Sequence, residues 1–251
     1  MQGRTALVTG GGRGIGRAIA LGLAEDGAAA VALSYRRDED AAQATVADLE
    51  GAGITARAYR ADGDVLADLD RLAESVLSDL GPVDVLVNNA GIASRGRTVV
   101  DTEPEEQERL LRVHALGPAQ LCKRLVPAMR DRPRGDVVMI SSAATSYFAA
   151  NSSPYNMAKA AMEALAFTLA KEERRHGIHV NVVAPGLVDT EMGRRLVKAT
   201  AGVDDIATMD PHMPFGRVCR PEDVADVVRF LVSDRAGYLT GEKLNVHGGG
   251  Q

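Results

Sequence analysis

Short, almost wholly apolar runs alternate along this chain with longer stretches in which apolar residues return every three or four positions. Ala6-Leu7-Val8-Thr9, Ala30 to Tyr35, Thr55 to Arg60, Val83 to Val87, Val137 to Ile140, Ile178 to Val183 and Lys243 to Val246 read as strands. Several are apolar on both faces, as strands buried in a parallel sheet must be. Between them, Ile19, Ala20, Leu23 and Ala24 form one helical stripe that closes near Gly27. Leu69, Leu72, Ala73, Val76 and Leu77 form another, and Asp38 to Glu50 is an Ala-rich amphipathic segment. Glu105 to Met129 is a long helical stretch, a further helix opens around Pro154, and the last opens at Pro221-Glu222. The alternation predicts one α/β domain over residues 1–251, without linkers or repeats. From Glu191 to Arg217 no clean period emerges. Met192, Leu196, Met209, Met213 and Phe215 there make either a mobile substrate lid over residues 191–217 or ordinary helix packing.

Composition narrows the function classes. Apolar residues at 45% suffice for a full core, and a net charge of −5 gives no support to a nucleic-acid or anionic-membrane partner. Cys122 and Cys219 stand far apart with no metal-ligand spacing, so no metal site is expected. No apolar run approaches 18 residues and no secretory or transit segment is recognisable, so a soluble cytoplasmic protein is the expectation.

The candidate chemistry sits at strand ends. The first strand runs into Gly10-Gly11-Gly12-Arg13-Gly14-Ile15-Gly16 and then a helix, which offers bare N–H groups and the positive helix end to a pyrophosphate. The second strand ends in Tyr35-Arg36-Arg37, where a carboxylate would be needed to hold the ribose hydroxyls of NAD. Arg13 and Arg36 can instead clamp a 2′-phosphate, or stand as solvated surface arginines; the first reading favours NADPH over NADH. Asp62 can accept from an adenine amino group or cap a helix. Asn88-Asn89-Ala90-Gly91 can stitch neighbouring loops or leave room for a cofactor. Pro118 should push on the carbonyl of His114 and kink the long helix. Ser141-Ser142 closes a central strand, facing the crevice where doubly wound sheets bind ligands.

Tyr155 and Lys159 are spaced to share one helix face, with Pro154 at the first helical position and Ser153 as its cap. An ammonium one turn away is expected to bring the phenol down from about 10 towards working pH.

Together, Thr9-Gly10-x-x-x-Gly14-x-Gly16, Asp62, Asn88-Asn89-Ala90-Gly91, Ser142, Tyr155-x-x-x-Lys159, Pro185-Gly186 and Thr190 resemble the short-chain dehydrogenase/reductase family along almost the whole chain. The resemblance implies a single Rossmann-type doubly wound domain, a seven-stranded parallel sheet with helices on both faces, and a homotetramer or homodimer. It implies that Tyr155 is the general acid, that Ser142 orients a substrate carbonyl, and that Lys159 binds the nicotinamide ribose. Asn89, the backbone of Val188, and Thr190 would hold the nicotinamide half. His114 stands where the family usually carries an asparagine that helps hold a relay water. A relay sensitive to histidine protonation near pH 6 to 7 is therefore expected. Gly63 replaces a common valine in the adenine pocket, and Thr145 replaces a small glycine after the serine strand, which puts the substrate-pocket shape in question. The expected activity is NADPH-dependent carbonyl reduction, with a 3-oxoacyl thioester or a polyketide-type ketone as substrate. The end of the chain, Pro214 through Ala225, resembles the branch that includes 3-oxoacyl-[acyl-carrier-protein] reductases. The rivals are an NAD-dependent alcohol, sugar or steroid dehydrogenase, and a non-catalytic cofactor-sensing protein on the same fold.

Overall fold

The structure, a computed structural model, describes residues 1–249; Gly250 of the glycine-rich tail and Gln251 lie outside the described residues. Its strands are Thr5–Thr9 (β1), Ala30–Tyr35 (β2), Thr55–Arg60 (β3), Val85–Asn88 (β4), Gly135–Ile140 (β5), Ile178–Pro185 (β6) and Lys243–Val246 (β7). They form one parallel sheet in the order β3-β2-β1-β4-β5-β6-β7. Its helices are Gly14–Glu25 (α1), Glu39–Gly51 (α2), Leu66–Leu80 (α3), Pro104–Leu111 (α4), Gly117–Met129 (α5), Ala144–Tyr147 (α6), Ser153–Glu173 (α7), Glu191–Ala201 (α8) and Pro221–Leu231 (α9).

Strand residues alternate between two cores because successive side chains leave opposite faces of a sheet. Ala6 and Val8 face α1, α2 and α9, where Ile19, Leu23, Leu49, Val224 and Val228 are buried. Leu7, Leu86 and Met139 face α3, α5 and α7, where Leu72, Val76, Leu121, Leu125 and Met162 are buried. Each buried Val, Leu, Ile or Met among them contributes roughly 1.5–3 kcal/mol of burial, so both faces need their helices. Both strands next to β1 are joined to it, β2 at Ala6–Val31 and β4 at Ala6–Val85. The strand order reverses between them, which opens a crevice at the carboxyl ends of β1 and β4.

Three local features differ from the sequence pattern. The long helical stretch is split by a π turn at Arg112–Leu116, where the Gly117 N–H reaches back to the carbonyl of Arg112. Pro118 has no N–H to continue the ordinary ladder, so the chain widens by one residue instead of simply kinking. Helix α7 begins at Ser153 itself, so the cap falls on Ser152 and not on Ser153, whose buried Oγ has no partner. Residues 191–217 are largely ordered as α8 followed by 3₁₀ turns at Ile206–His212 and Pro214–Gly216. Val197, Ile206 and Val218 bury a small core of their own, with Met209 and Met213 against it, while Met192, Leu196 and Phe215 stay exposed.

At the opposite end of the sheet, Asp84 and Asp136 are buried. Asp136 takes Arg4 at 2.5 Å and Arg134 at 2.8 Å, and Asp84 takes Arg132 at 2.6 Å. Among the described residues, no helix is long and apolar enough to cross a membrane, and no cluster of side chains could hold a metal ion.

Candidate active site

The glycine loop hangs from β1 and enters α1 through Arg13, whose backbone is extended. A Cβ at Gly16 would lie 2.2 Å from the Gly10 carbonyl and 2.5 Å from Asn89 Nδ2, so the loop closes this tightly only around glycine. Asn89 stitches the loop to β4: its Nδ2 donates to the carbonyls of Thr9 (2.8 Å) and Gly10 (3.3 Å). The Thr9 hydroxyl accepts from the Asn89 and Ala90 N–H groups at 2.9 and 3.0 Å. The stitching role of this Asn-Asn-Ala-Gly run is therefore built, and it leaves Ala90 and Gly91 as the small floor of the crevice.

The arginines are not equivalent. Arg13 is ion-paired with Glu191 at the start of α8 and has Asp38 at 3.8 Å, all three well exposed. Asp38 is itself the N-cap of α2, accepting from the Ala41 N–H. Arg36 is partly buried and Arg37 is exposed beside it, just past the carboxyl end of β2. The Tyr35 phenol is pushed up by burial and by its hydrogen bond to Glu39. Asp62 makes a local turn, accepting from the Asp64 N–H at 3.1 Å, and is not the cap of α3, which is Val65. At Gly63 a Cβ would meet only Val113, at 3.7 Å, an ordinary van der Waals contact.

On the far side, Pro185 and Gly186 end β6. The Pro185 carbonyl accepts from Ala143, and the Gly186 N–H donates to Val246. Thr190 caps α8, its Oγ1 accepting from the Gly193 N–H at 3.1 Å, and its own N–H is held by the Val188 carbonyl. The Thr190 methyl lies 3.3 Å from where a Gly14 Cβ would project. The two loops thus face each other across the crevice.

Ser142, Tyr155, Lys159 and His114 meet at its centre. Lys159 is 3% exposed, and its Nζ donates to the Ile140 carbonyl at 2.6 Å, 5.7 Å from the centre of the Tyr155 ring. Burial drives its pKa down to about 7, with Glu163 as the one charge raising it. The Tyr155 phenol is raised, first by burial, although a hydrogen bond with Ser142 opposes this. This corrects the expectation that Lys159 brings the phenol down. Loss of solvent acts on both groups against their charged forms, and at Tyr155 it is the largest influence.

The expectation for His114 also needs correcting. Its ring is 1% exposed and packs edge-on against Tyr155 at 5.4 Å. The contact from Nε2 to the Ile92 carbonyl is 2.9 Å, the shorter of its two contacts to Ile92, and assigns the proton to Nε2. Nδ1 is buried without a partner. Burial and the nearby Lys159 push its pKa well below 6.5, so it is neutral near pH 7. A Cβ at residue 91 would fall 2.7 Å from the His114 Cε1, so Gly91 is what makes room for an imidazole here.

Sequence reasoning missed Glu163 and Lys243, which lie next to this centre. Thr145, which put the pocket shape in question, turns its hydroxyl to Glu163 (2.7 Å) and Lys243 (2.6 Å).

The arrangement is that of a dinucleotide-dependent oxidoreductase on a doubly wound sheet. A family model described as enoyl-(acyl carrier protein) reductase matches residues 10–251. Dehydrogenase/reductase SDR family member 4 of Homo sapiens is 36% identical over 249 residues, which cover 99% of this chain and 88% of that protein. The 3-oxoacyl-[acyl-carrier-protein] reductase FabG of Escherichia coli (strain K12) is 35% identical over 248 residues, 99% of this chain and 97% of the relative. L-Sorbose reductase from Gluconobacter frateurii, solved with NADPH and L-sorbose, superposes with a TM-score of 0.91. It is 31% identical, over 99% of this chain and 97% of its own. The chain belongs to the short-chain dehydrogenase/reductase family.

Proposed function

We propose that this chain is an NADPH-dependent carbonyl reductase that turns a ketone into a secondary alcohol. The observation that carries the reading is the convergence of Ser142, Tyr155 and a buried Lys159 beside a glycine loop that only glycine can close. NADP(H), when bound, supplies the hydride. The residues that would hold it are Gly10, Arg13, Gly14, Ile15 and Gly16 on its phosphates, with Tyr35, Arg36 and Arg37 at the mouth. Asp62, Gly63, Ala90 and Gly91 would take the base and ribose, and Asn89, Pro185, Gly186, Val188, Thr190 and Lys159 the nicotinamide half. Ser142 orients the ketone oxygen, and Tyr155 donates the proton to it as the alkoxide develops. Lys159, held against the Ile140 carbonyl, fixes the phenol's surroundings and returns the proton.

Exposed Tyr147 and Phe148 after the serine turn, and Met192, Leu196 and Phe215 within residues 191–217, support an apolar ketone such as a 3-oxoacyl thioester or a polyketide-type ketone as substrate. Residues 191–217 act as its lid, tied to the cofactor loop through Glu191 and Arg13. A homotetramer is the assembly proposed. A second reading, an NAD-dependent dehydrogenase, draws on Asp38 and Glu191 occupying the surroundings of Arg13.

The test follows absorbance of NADPH and NADH with a panel of ketones that includes an acetoacetyl thioester, with Tyr155→Phe as control. Thioester turnover with NADPH, lost in Tyr155→Phe, supports the reading in full. NADH used as well as NADPH, with Arg13→Ala changing neither, would favour the second reading. Cofactor binding without turnover of any ketone would overturn both.

A further inference from the structure

Behind the serine turn lies a cluster of polar side chains that the proposed chemistry does not use. Glu163 sits one helical turn beyond Lys159 on α7, so Tyr155, Lys159 and Glu163 follow one another at four-residue spacing on one helix face. Its Oε1 accepts from the Ser141 hydroxyl at 2.6 Å and from Thr145 at 2.7 Å. Lys243, on the edge strand β7, reaches Glu163 at 3.0 Å and donates to the Thr145 hydroxyl at 2.6 Å. Thr145 also lies 2.8 Å from the Ser142 carbonyl, so its one proton is shared between that carbonyl and Glu163. Four elements meet in this cluster: the end of β5, α6, α7 and β7. Glu163 is 12% and Lys243 19% exposed at the side chain. An ion pair so far removed from water is stronger than a surface one and costs more to break.

We propose that Glu163 is a positioning residue of the ketone-reduction site. It pins the Ser141–Thr145 turn that presents Ser142, and holds a negative charge, balanced by Lys243, one turn behind Lys159. The inference rests on the reductase reading for its catalytic meaning but not for its geometry. Around Lys159 the other ionisable groups are Tyr155 on its own helix and His114 on the π turn, with Tyr147 of α6 acting on Tyr155. The Ile140 carbonyl of β5 is the hydrogen-bond acceptor. His114 is neutral and Tyr155 is protonated near pH 7, so Glu163 is the anion that favours the Lys159 ammonium. Removing its charge should make Lys159 lose its proton at lower pH.

The chain has five lysines, so Lys159 can be followed in the ¹³C-lysine NMR spectrum of the purified full chain, assigned by its loss in Lys159→Met. In Glu163→Gln the Lys159 titration midpoint should fall by about one pH unit. Glu163→Asp should restore most of it, and Lys243→Met should move it the other way. In the same variants, the alkaline limb of log kcat against pH for ketone reduction should shift in the same directions, while KM for NADPH stays within about twofold. A role confined to stability would lower kcat evenly at every pH and leave the limb in place. A Lys159 midpoint in Glu163→Gln unchanged from wild type would overturn the proposal, as would a midpoint that falls in Lys243→Met. If Glu163→Gln fails to fold, the Glu163→Asp and Lys243→Met midpoints decide it. If no ketone is reduced, the reductase reading fails, and the NMR midpoints still decide whether Glu163 sets the state of Lys159.

Discussion

Lys159→Met should make the protein more stable while abolishing its chemistry, and the gain should depend on pH in a defined way. Lys159 is buried with no carboxylate in direct contact, and its pKa falls from 10.5 to about 7. The folded protein therefore binds fewer protons than the unfolded chain between about pH 7 and 10.5, and stability from this group rises as pH climbs through that window. Below pH 7 the buried ammonium opposes folding by its full amount. At 1.36 kcal/mol per unit, the opposition is about 5 kcal/mol at pH 6 and falls to about 2 kcal/mol at pH 9. Methionine has a similar length and helix propensity but no charge to bury. Its lost hydrogen bond to the Ile140 carbonyl, about 1 kcal/mol, is a constant offset at all pH values. The advantage of Lys159→Met over wild type should thus narrow by roughly 3 kcal/mol between pH 6 and pH 9. At roughly 2–4 °C per kcal/mol for a domain of this size, the Tm difference should shrink by about 5–11 °C. Urea unfolding of both proteins without cofactor, at one protein concentration and several pH values, measures this directly. Taking the difference between the two proteins removes every other titrating group. A difference that stays flat from pH 6 to 9, or widens, would refute the reasoning that burial dominates at Lys159.

His114→Asn should give a pH–rate profile that overlays wild type between pH 6.5 and 7.5, because burial and Lys159 hold the imidazole well below 6.5 and so neutral there; an acid limb present only in wild type would contradict it. Asp136→Ala leaves Arg4 and Arg134, both mostly buried, without their carboxylate and should cost about 3–5 kcal/mol in urea unfolding. Gly16→Ala places a methyl within 2.2 Å of the Gly10 carbonyl and should weaken NADPH binding at least tenfold by fluorescence titration, with far-UV circular dichroism unchanged.

The sheet and the glycine loop could be read from the chain because each rests on local rules. An apolar run buried on both faces is a strand wherever it lies, and glycines between a strand and a helix make a tight turn. The Tyr155–Lys159 pair was legible for the same reason, since four-residue spacing alone places two side chains on one helix face. Glu163 has the same spacing from Lys159, yet its meaning was hidden. Its counter-ion Lys243 lies 80 residues away on the edge strand, and nothing in the intervening sequence marks the pairing. Arg13 and Glu191, 178 residues apart, were hidden in the same way. The effect of Thr145 could not be read because a position in sequence does not say which way a side chain turns. The state of Tyr155 was misjudged because spacing reveals a charge partner but not the loss of solvent around both groups. Residue types and intervals carry local geometry; burial and distant pairing arise only from the assembled fold.

Burial of the two central groups also bears on the proton that the proposed reduction would use. A phenol held above its ordinary value is protonated throughout the neutral range, and protonated is the state a donor to a ketone oxygen must be in. The reverse reaction needs a phenolate, which burial opposes at Tyr155 and which a half-neutralised Lys159 near pH 7 would do little to stabilise. The substitution of histidine at position 114 leaves this balance intact. A cationic imidazole 5.4 Å from the phenol would have favoured the phenolate, but the ring is neutral and held by Ile92 in the space that Gly91 leaves. With His114 neutral, the charge near Tyr155 is set by Lys159 and, behind it, by Glu163 and Lys243. A protonated phenol at neutral pH is therefore the state that the proposed ketone reduction requires of its donor.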